Sequence, residues 1–597
     1  MSTVITEPAA DVVVLGLGVM GGAVAAELST SGFKVVGIEK GPYYQFDTDF
    51  APVKYDEWGI MVMRKFDHPL PISTFTMRQN GNQLALPVRR NTPTDQVISL
   101  GHAVGGMAQH YAGDMGRYGP WAYTMNSSTA SRYGANFISS IEPNQDVEDW
   151  PMTYTDYEPY YVAWEQSWGI TGTNEGPLLP MSGNYPLPPH PVTALGTAFQ
   201  TAAEGIGWSP FPAPTALASQ PYMNQYGVAV NECVYDGWCT EGCNYVCETG
   251  AKANAAYRTV PAAIKSGNFT LAINSYAYRL DTNSSGQVTQ ARYYDAQGNI
   301  HIQPGKVFFN GLWGFNIIRS MQLSGIGNSY NPTTVSGSLG RGMTEANVVG
   351  PYAGGTMNIG ANAYPAGNGS GGAFGFRDLA DDNFDHTGLN FIGGLGAVGG
   401  VGTYAGSGPG FANSYYGAAS PSNIGSAYKG TWKNSYLKTS QGVTFFNYTN
   451  QLPTTLNYGD LDPHYEDIYG DPLARATLDY GINEFNTSNY TVPLTKPVLE
   501  KMGCTNIYTT PSMTPGSAHV DAWQAHTRGG ARLGVNAATS VFNLYQQCWT
   551  AENLFASGEI CNTTGNNQTA GTHGSGYQSY VAADGIKKYL ASPGSLA

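Results

Sequence analysis

Charge is what this chain has least of: only 12% of its 597 residues are Asp, Glu, Lys or Arg, about half the share of an ordinary globular protein. The balance is acidic, 43 carboxylates against 29 cations for a net charge of -14, with a pI near 5.1. That argues against a nucleic-acid partner, which would call for a basic face. No apolar run reaches the length of a membrane span, and the opening MSTVITEPAA is neither basic nor hydrophobic enough for a secretory signal. The chain is therefore expected to be soluble and to carry no address of its own. Neither internal repeats nor a coiled-coil heptad is present. Gly (76), Tyr (40) and many Asn, Ser and Thr supply an uncharged polar surface instead. Such a surface has little stability to lose on acidification, because acid unfolding largely reflects protonation of groups ionised in the native state. The composition hints at an acidic, extracytoplasmic setting. The sequons at Asn268, Asn447 and Asn489 are what chance provides in a chain so rich in those residues.

Cysteine is scarce as well, seven in all, yet four fall within fifteen residues: Cys233-VYDGW-Cys239-TEG-Cys243-NYV-Cys247. The spacing is not the pair of C-x2-C knuckles that suits tetrahedral zinc. Three or four thiolates on one Gly-containing loop are what iron–sulfur ligation requires; two disulfides in a secreted protein are the alternative. Cys504, Cys548 and Cys561 have no ligand spacing and read as core cysteines.

Residues 11–40 read as a buried strand, a Gly loop, an amphipathic helix and a second strand ending in an acid. In the loop Gly16-x-Gly18-x-x-Gly21, Gly16 permits the tight turn and Gly18 lets a pyrophosphate approach the helix N-terminus. Gly21 allows close helix–strand packing, and Glu39 stands where an acid can bond the adenosine ribose. This constellation predicts dinucleotide binding without separating FAD from NAD. The length allows two substantial cores.

Leu100-Gly-His-Ala-Val-Gly105-Gly106-Met-Ala-Gln-His110-Tyr-Ala-Gly113 resembles the second flavin-contacting loop of the glucose–methanol–choline oxidoreductases. So does MQLSGIG (321–327), and the run AHTRGGARLGVNAATSVFNLYQQCWTAENLFASGEI, followed by Ala582-Ala-Asp584, looks like that superfamily's catalytic and flavin-capping end. Within it the chain is most similar to the large-subunit group of gluconate 2-dehydrogenase. Segments 251–271, 381–394 and 461–480 carry that likeness beyond single motifs.

The resemblance implies a mixed α/β fold: a Rossmann-like FAD domain (1–45, 95–125, 225–345 and 505–597) interleaved with a substrate domain on a large antiparallel sheet (46–94, 126–224 and 346–504). Independently of the resemblance, the Gly/Tyr/Ser-rich stretch from about 353 to 430 lacks helical periodicity and reads as strands and loops over the site. The resemblance also implies FAD held by Gly16, Gly18, Gly21, Glu39, Gly105 and Gly106, with His110 at the position that bonds the flavin 8α carbon. His102, in the same loop but off that position, is expected to face solvent. It implies a [3Fe-4S] site on Cys233, Cys239 and Cys243, with Cys247 either idle or the fourth ligand of a [4Fe-4S] cluster. His526, in His-x-x-Gly-Gly-x-x-x-Gly, stands where the family has its catalytic base. The second catalytic position is Asn567, since Gly565-Asn-Asn567-Gln-Thr569 resembles Gly-x-Asn-Pro-Thr, or His573, which suits the distance to the helix end better.

The implied activity is oxidation of a sugar, sugar acid or polyol, with electrons passing through the cluster to a cytochrome c or quinone chain. A small partner with an export signal and a cytochrome c subunit would place the enzyme at the outer, periplasmic face of the membrane, cytoplasm being the alternative. Two other functions stay open: an O2-using oxidase with disulfides in the cysteine loop, and a flavin-less surface protein that kept the fold.

Overall fold

The computed structural model describes residues 3–49, 73–77, 89–90, 101–109, 111, 113–175, 178–234, 247, 249–345, 352–356, 371–396, 442–446, 448–509, 512, 514–515, 527–563 and 571–597. The chain opens with β1 (Ala10–Leu15), α1 (Val19–Thr30) and β2 (Val35–Ile38). There follow β3 (Ser73–Met77), α2 (Tyr154–Trp168), α3 (Val260–Lys265), β4 (Phe269–Ala272), β5 (Tyr276–Thr282), β6 (Val288–Tyr294), β7 (Ile300–Asn310) and α4 (Phe315–Leu323). The second half contributes β8 (Arg341–Glu345), β9 (Tyr458–Glu466), β10 (Pro472–Leu478), β11 (Thr527–Gly530), β12 (Ala551–Ala556) and α5 (Gly571–Ala591).

The run Val12-Val-Val-Leu15 alternates faces along a strand, yet all four residues are buried. A strand covered on both faces belongs in the middle of a parallel sheet. β1 sits there, in the order β4–β2–β1–β7–β12, every pairing parallel. The first half of β7 carries β6 and then β5 as an antiparallel extension. A second sheet runs β11–β8–β9–β10–β3 with Arg89–Arg90 at its far edge. All its pairings are antiparallel except β10 with β3.

α1 departs from the amphipathic helix expected of it. Gly21 to Ala26, Leu28 and Ser29 are all buried, because the helix runs beneath α3 and α5 as well as against the sheet. Small residues make that passage possible: a Cβ on Gly22 would lie 2.6 Å from the Ala255 Cβ and 2.8 Å from the Thr259 hydroxyl. α5 uses the same device on its other side. Tyr157, Tyr161, Trp164 and Trp168 form the buried stripe of α2 at helical spacing. A Cβ on Gly576 of α5 would lie 2.0 Å from the Trp164 ring, and the ring of the next residue, Tyr577, lies 4.1 Å from that of Tyr161, tilted by 30°.

The two sheets are joined by the chain's end. β11 is an edge strand of the second sheet, paired with β8 at Glu345↔Thr527 and Thr344↔Arg528. Just past it, the Ala531 and Leu533 N–H groups donate to the Ile560 and Cys561 carbonyls at 3.0 and 2.9 Å. That segment follows β12 of the first sheet. Cys504, Cys548 and Cys561 are buried, and burial raises each thiol pKa, that of Cys504 to about 11. These are inert core cysteines. Among the described residues no helix is long and apolar enough to cross a membrane.

Candidate active site and cofactor cleft

β1 delivers the chain to Gly16 at φ +80°, where a Cβ would lie 2.9 Å from the Gly311 carbonyl oxygen. A Cβ on Gly21 would lie 1.8 Å from the Gly16 carbonyl oxygen, so the first turn of α1 closes on the loop only because that side chain is absent. Gly18 has the opposite character: a Cβ there would meet nothing nearer than the Gly106 Cα at 3.8 Å. It is the N-cap of α1, with no side-chain cap and no acid in the first turn. The helix therefore presents uncapped N–H groups and the positive end of its dipole at a place walled by glycine backbone, as an anion requires. The second loop closes the cradle. The Gly105 N–H donates to the Leu17 carbonyl at 2.8 Å, and Gly106, at φ +55°, would bring a Cβ to 3.0 Å from the Gly18 Cα.

Glu39, at the end of β2, is buried and accepts the Leu17 N–H at 2.8 Å and the Gly41 N–H at 3.0 Å. Burial raises its pKa against those two bonds. The carboxylate is thus fixed beside the Gly loop, with lone pairs left for a ribose hydroxyl. Glycines, uncapped helix and fixed acid together fit the dinucleotide half of FAD. His102 is partly buried rather than solvent-facing; burial and the neighbouring Lys40 push its pKa down to about 4.

His110 lies outside the described residues, but both of its neighbours are placed. The Gln109 side chain is buried, donating to the Val104 carbonyl at 2.8 Å and accepting from Asn254 at 3.1 Å and Tyr257 at 3.3 Å. The Tyr111 hydroxyl donates to the Ala253 carbonyl at 2.6 Å. Residues 253–257, which follow the clustered cysteines in sequence, therefore grip the 101–113 loop on both sides of residue 110. Cys239 and Cys243 also lie outside the described residues. Cys233 is buried, its N–H donating to the Ala218 carbonyl at 2.8 Å. The Cys247 sulfur accepts the Lys252 N–H at 3.4 Å and lies 3.3 Å from the Thr249 hydroxyl. Amide donation to sulfur is compatible with a metal-bound cysteine, and both Cys233 and Cys247 are free of disulfides.

His526 and Asn567 fall outside the described residues, whereas the segments that follow them are firmly held. Arg528, buried, is ion-paired with Glu559, which also accepts the Tyr118 hydroxyl at 2.5 Å. The Asn562 amide donates to that hydroxyl at 3.4 Å and accepts from Gln578 of α5 at 2.8 Å. His573, in the first turn of α5, is fully buried. Its Nδ1 accepts the Gly116 N–H at 2.9 Å and its Nε2 lies 3.2 Å from Glu165, so both ring nitrogens face groups of the fold itself. Arg117 grips the same Glu165 with two bonds of 2.8 Å. Burial raises the Glu165 pKa, but its bonds from Arg117 and His573 prevail and hold the carboxyl below its ordinary range.

Sequence reasoning passed over Arg117, Glu165, Lys252, Arg528 and Glu559. The available signal was scarcity: where so few residues are charged, a charge inside a motif is worth following.

Three other carboxyls point the opposite way. Burial raises Asp114 to about 7, burial and the Glu142 charge raise Glu484 to about 7, and burial and the Asp381 charge raise Asp382 to about 6. A group raised in the folded state stabilises it fully below its unfolded pKa, near 4 for a carboxyl, and loses that contribution as pH rises through the folded value. The melting temperature is therefore expected to be higher at pH 5.5 than at pH 7.5. A higher value at pH 7.5 would contradict this.

No family model matches the chain. Curated relatives match nearly all of it. The gluconate 2-dehydrogenase flavoprotein of Pantoea cypripedii is 30% identical over 98% of this chain and 95% of its own length. The 2-methyl-1,2-propanediol dehydrogenase of Mycolicibacterium austroafricanum is 25% identical over 93% and 91%. The fructose dehydrogenase large subunit of Gluconobacter japonicus is 24% identical over 92% of each chain. Among solved structures, pyridoxine 4-oxidase from Mesorbium loti superposes with a TM-score of 0.57 at 14% identity, covering 98% of this chain and 99% of that one.

Proposed function

The chain belongs to the glucose–methanol–choline oxidoreductases, in the group of the gluconate 2-dehydrogenase flavoproteins, and we propose that this FAD-dependent alcohol-oxidising enzyme acts on a sugar, sugar acid or polyol and passes its electrons through an iron–sulfur site in the cysteine loop. The observation that carries the reading is the grip of Ala253, Asn254 and Tyr257, which follow the clustered cysteines in sequence, on Gln109 and Tyr111, which ties that segment to the loop on both sides of residue 110.

FAD, when bound, accepts a hydride from the substrate carbon. The chain's own residues do the rest. Gly16, Gly18, Gly21, Gly105, Gly106 and Glu39 hold the dinucleotide half, and His110 anchors the ring end covalently. His526 takes the hydroxyl proton at a ring nitrogen. Asn567 holds the substrate oxygen; the double engagement of His573 favours it as the residue that fixes the start of α5. Cys233, Cys239 and Cys243 would hold a [3Fe-4S] cluster, or together with Cys247 a [4Fe-4S] cluster, and either would supply one-electron transfer. The named large subunit among the relatives supports partner subunits here: a small one bearing the export signal and a cytochrome c at the outer face of the membrane.

The purified enzyme is expected to contain iron and acid-labile sulfide and to keep its yellow colour in an acid-precipitated pellet. Cys239→Ser should leave flavin reduction by substrate nearly intact and abolish turnover with the physiological acceptor. Peroxide formation by an iron-free protein would instead establish the oxidase reading.

A further inference from the structure

Lys252 is 1% exposed. A lysine is almost never so buried unless its ammonium has been given partners. Its Nζ donates to the Gln109 carbonyl at 3.1 Å and the Tyr111 carbonyl at 2.9 Å, the two carbonyls that flank residue 110. It also lies 5.3 Å from the centre of the Tyr111 ring. The same residue's backbone N–H donates to the Cys247 sulfur at 3.4 Å. One residue therefore touches the loop that would carry the flavin through its ammonium group, and Cys247 of the loop that would carry the cluster through its backbone.

Packing alone would not call for a cation here, since a methionine of similar length could line the same space. The charge has an electrostatic consequence that the packing lacks. Away from water a fixed cation is weakly screened, and it favours whichever redox form of its neighbour is richer in electrons. We propose that Lys252 is a positioning residue that locks the two loops in register and raises the midpoint potential of the flavin they hold, an inference that rests on the reading of the 101–113 loop as the flavin site. No covalent change at Lys252 is involved; it shifts an equilibrium that the substrate's two electrons and proton already define.

The test is a spectroelectrochemical titration of the purified, flavin-loaded enzyme as wild type, Lys252→Met and Lys252→Arg. Lys252→Met should lower the ratio of reduced to oxidised flavin at a fixed potential by at least tenfold, about 30 mV for a two-electron couple. Lys252→Arg, which keeps the charge, should stay within threefold of wild type. A Met variant within threefold of wild type overturns the proposal, as does an Arg variant that falls as far as Met. Should the Met variant not fold, Lys252→Gln retains a donor for one carbonyl and is held to the same tenfold expectation. A wild-type chain without a flavin spectrum overturns both this proposal and the functional reading, whereas flavin present with an unshifted potential overturns this one alone.

Discussion

His526→Ala is expected to slow anaerobic flavin reduction by substrate by a factor on the order of 10²–10⁴ while substrate affinity changes only a few fold. Hydride can leave carbon only as the hydroxyl proton departs, and a positioned base supplies that much of the rate. In free energy the loss is about 3–5 kcal/mol of transition-state stabilisation. The chain just after His526 is tethered from two directions: Thr527 and Arg528 pair with Glu345 and Thr344 of β8, and Ala531 and Leu533 bond the 560–561 backbone. Removing the imidazole therefore leaves these neighbouring tethers in place. In stopped-flow measurements the acid limb of the pH profile, set in the wild type by protonation of the base, should vanish in the variant. Reduction within a few fold of wild type, or an unchanged acid limb, would show that the base is elsewhere.

The Rossmann half was legible because its requirements are local. A buried strand, a Gly loop and an acid follow one another within thirty residues, and each glycine answers a contact that can be named in advance, as Gly21 does against the Gly16 carbonyl. The amphipathic reading of α1 failed because what covers its outer side, α3 and α5, arrives more than two hundred residues later. The second sheet was foreseen through resemblance rather than pattern, and its one parallel pairing, β3 beside β10, joins strands some four hundred residues apart. The buried charges were illegible for the same reason. Glu165 lies on a helix, Arg117 in a loop and His573 near the C-terminus, and nothing in any one segment says that they meet. Lys252 is the instructive case: read as one residue of a segment resembling the family, it acquires meaning only when its ammonium is seen to reach the carbonyls on either side of residue 110.

Glu165→Ala should be the most destabilising single change in the buried network, lowering stability by about 3–5 kcal/mol, because removing one partner of a buried pair strands the other without water. Arg117 would lose its two 2.8 Å bonds to Glu165 and keep Glu158 at 2.9 Å and the Tyr154 hydroxyl at 3.1 Å. His573 would lose its anionic neighbour at 3.2 Å. The contrast is Lys496→Ala, which breaks an exposed i,i+4 pair with Glu500 and should cost no more than about 0.5 kcal/mol. Replacing Arg117 and Glu165 together by Met should recover part of the loss, since no buried charge then lacks its partner; Glu158 is exposed enough to be hydrated. The pH dependence separates this network from the raised carboxyls. Glu165 is held below its ordinary range, so its contribution is present above the unfolded pKa, about 4.3, and is lost only as pH falls through the lower folded value. At pH 5.5 the wild type thus keeps the Glu165 contribution and retains more of that of Asp114 and Glu484 than at pH 7.5, and the deficit of Glu165→Ala in urea midpoint should be as large at pH 5.5 as at pH 7.5. A deficit no larger than that of Lys496→Ala at both pH values would show that the buried network contributes nothing to stability.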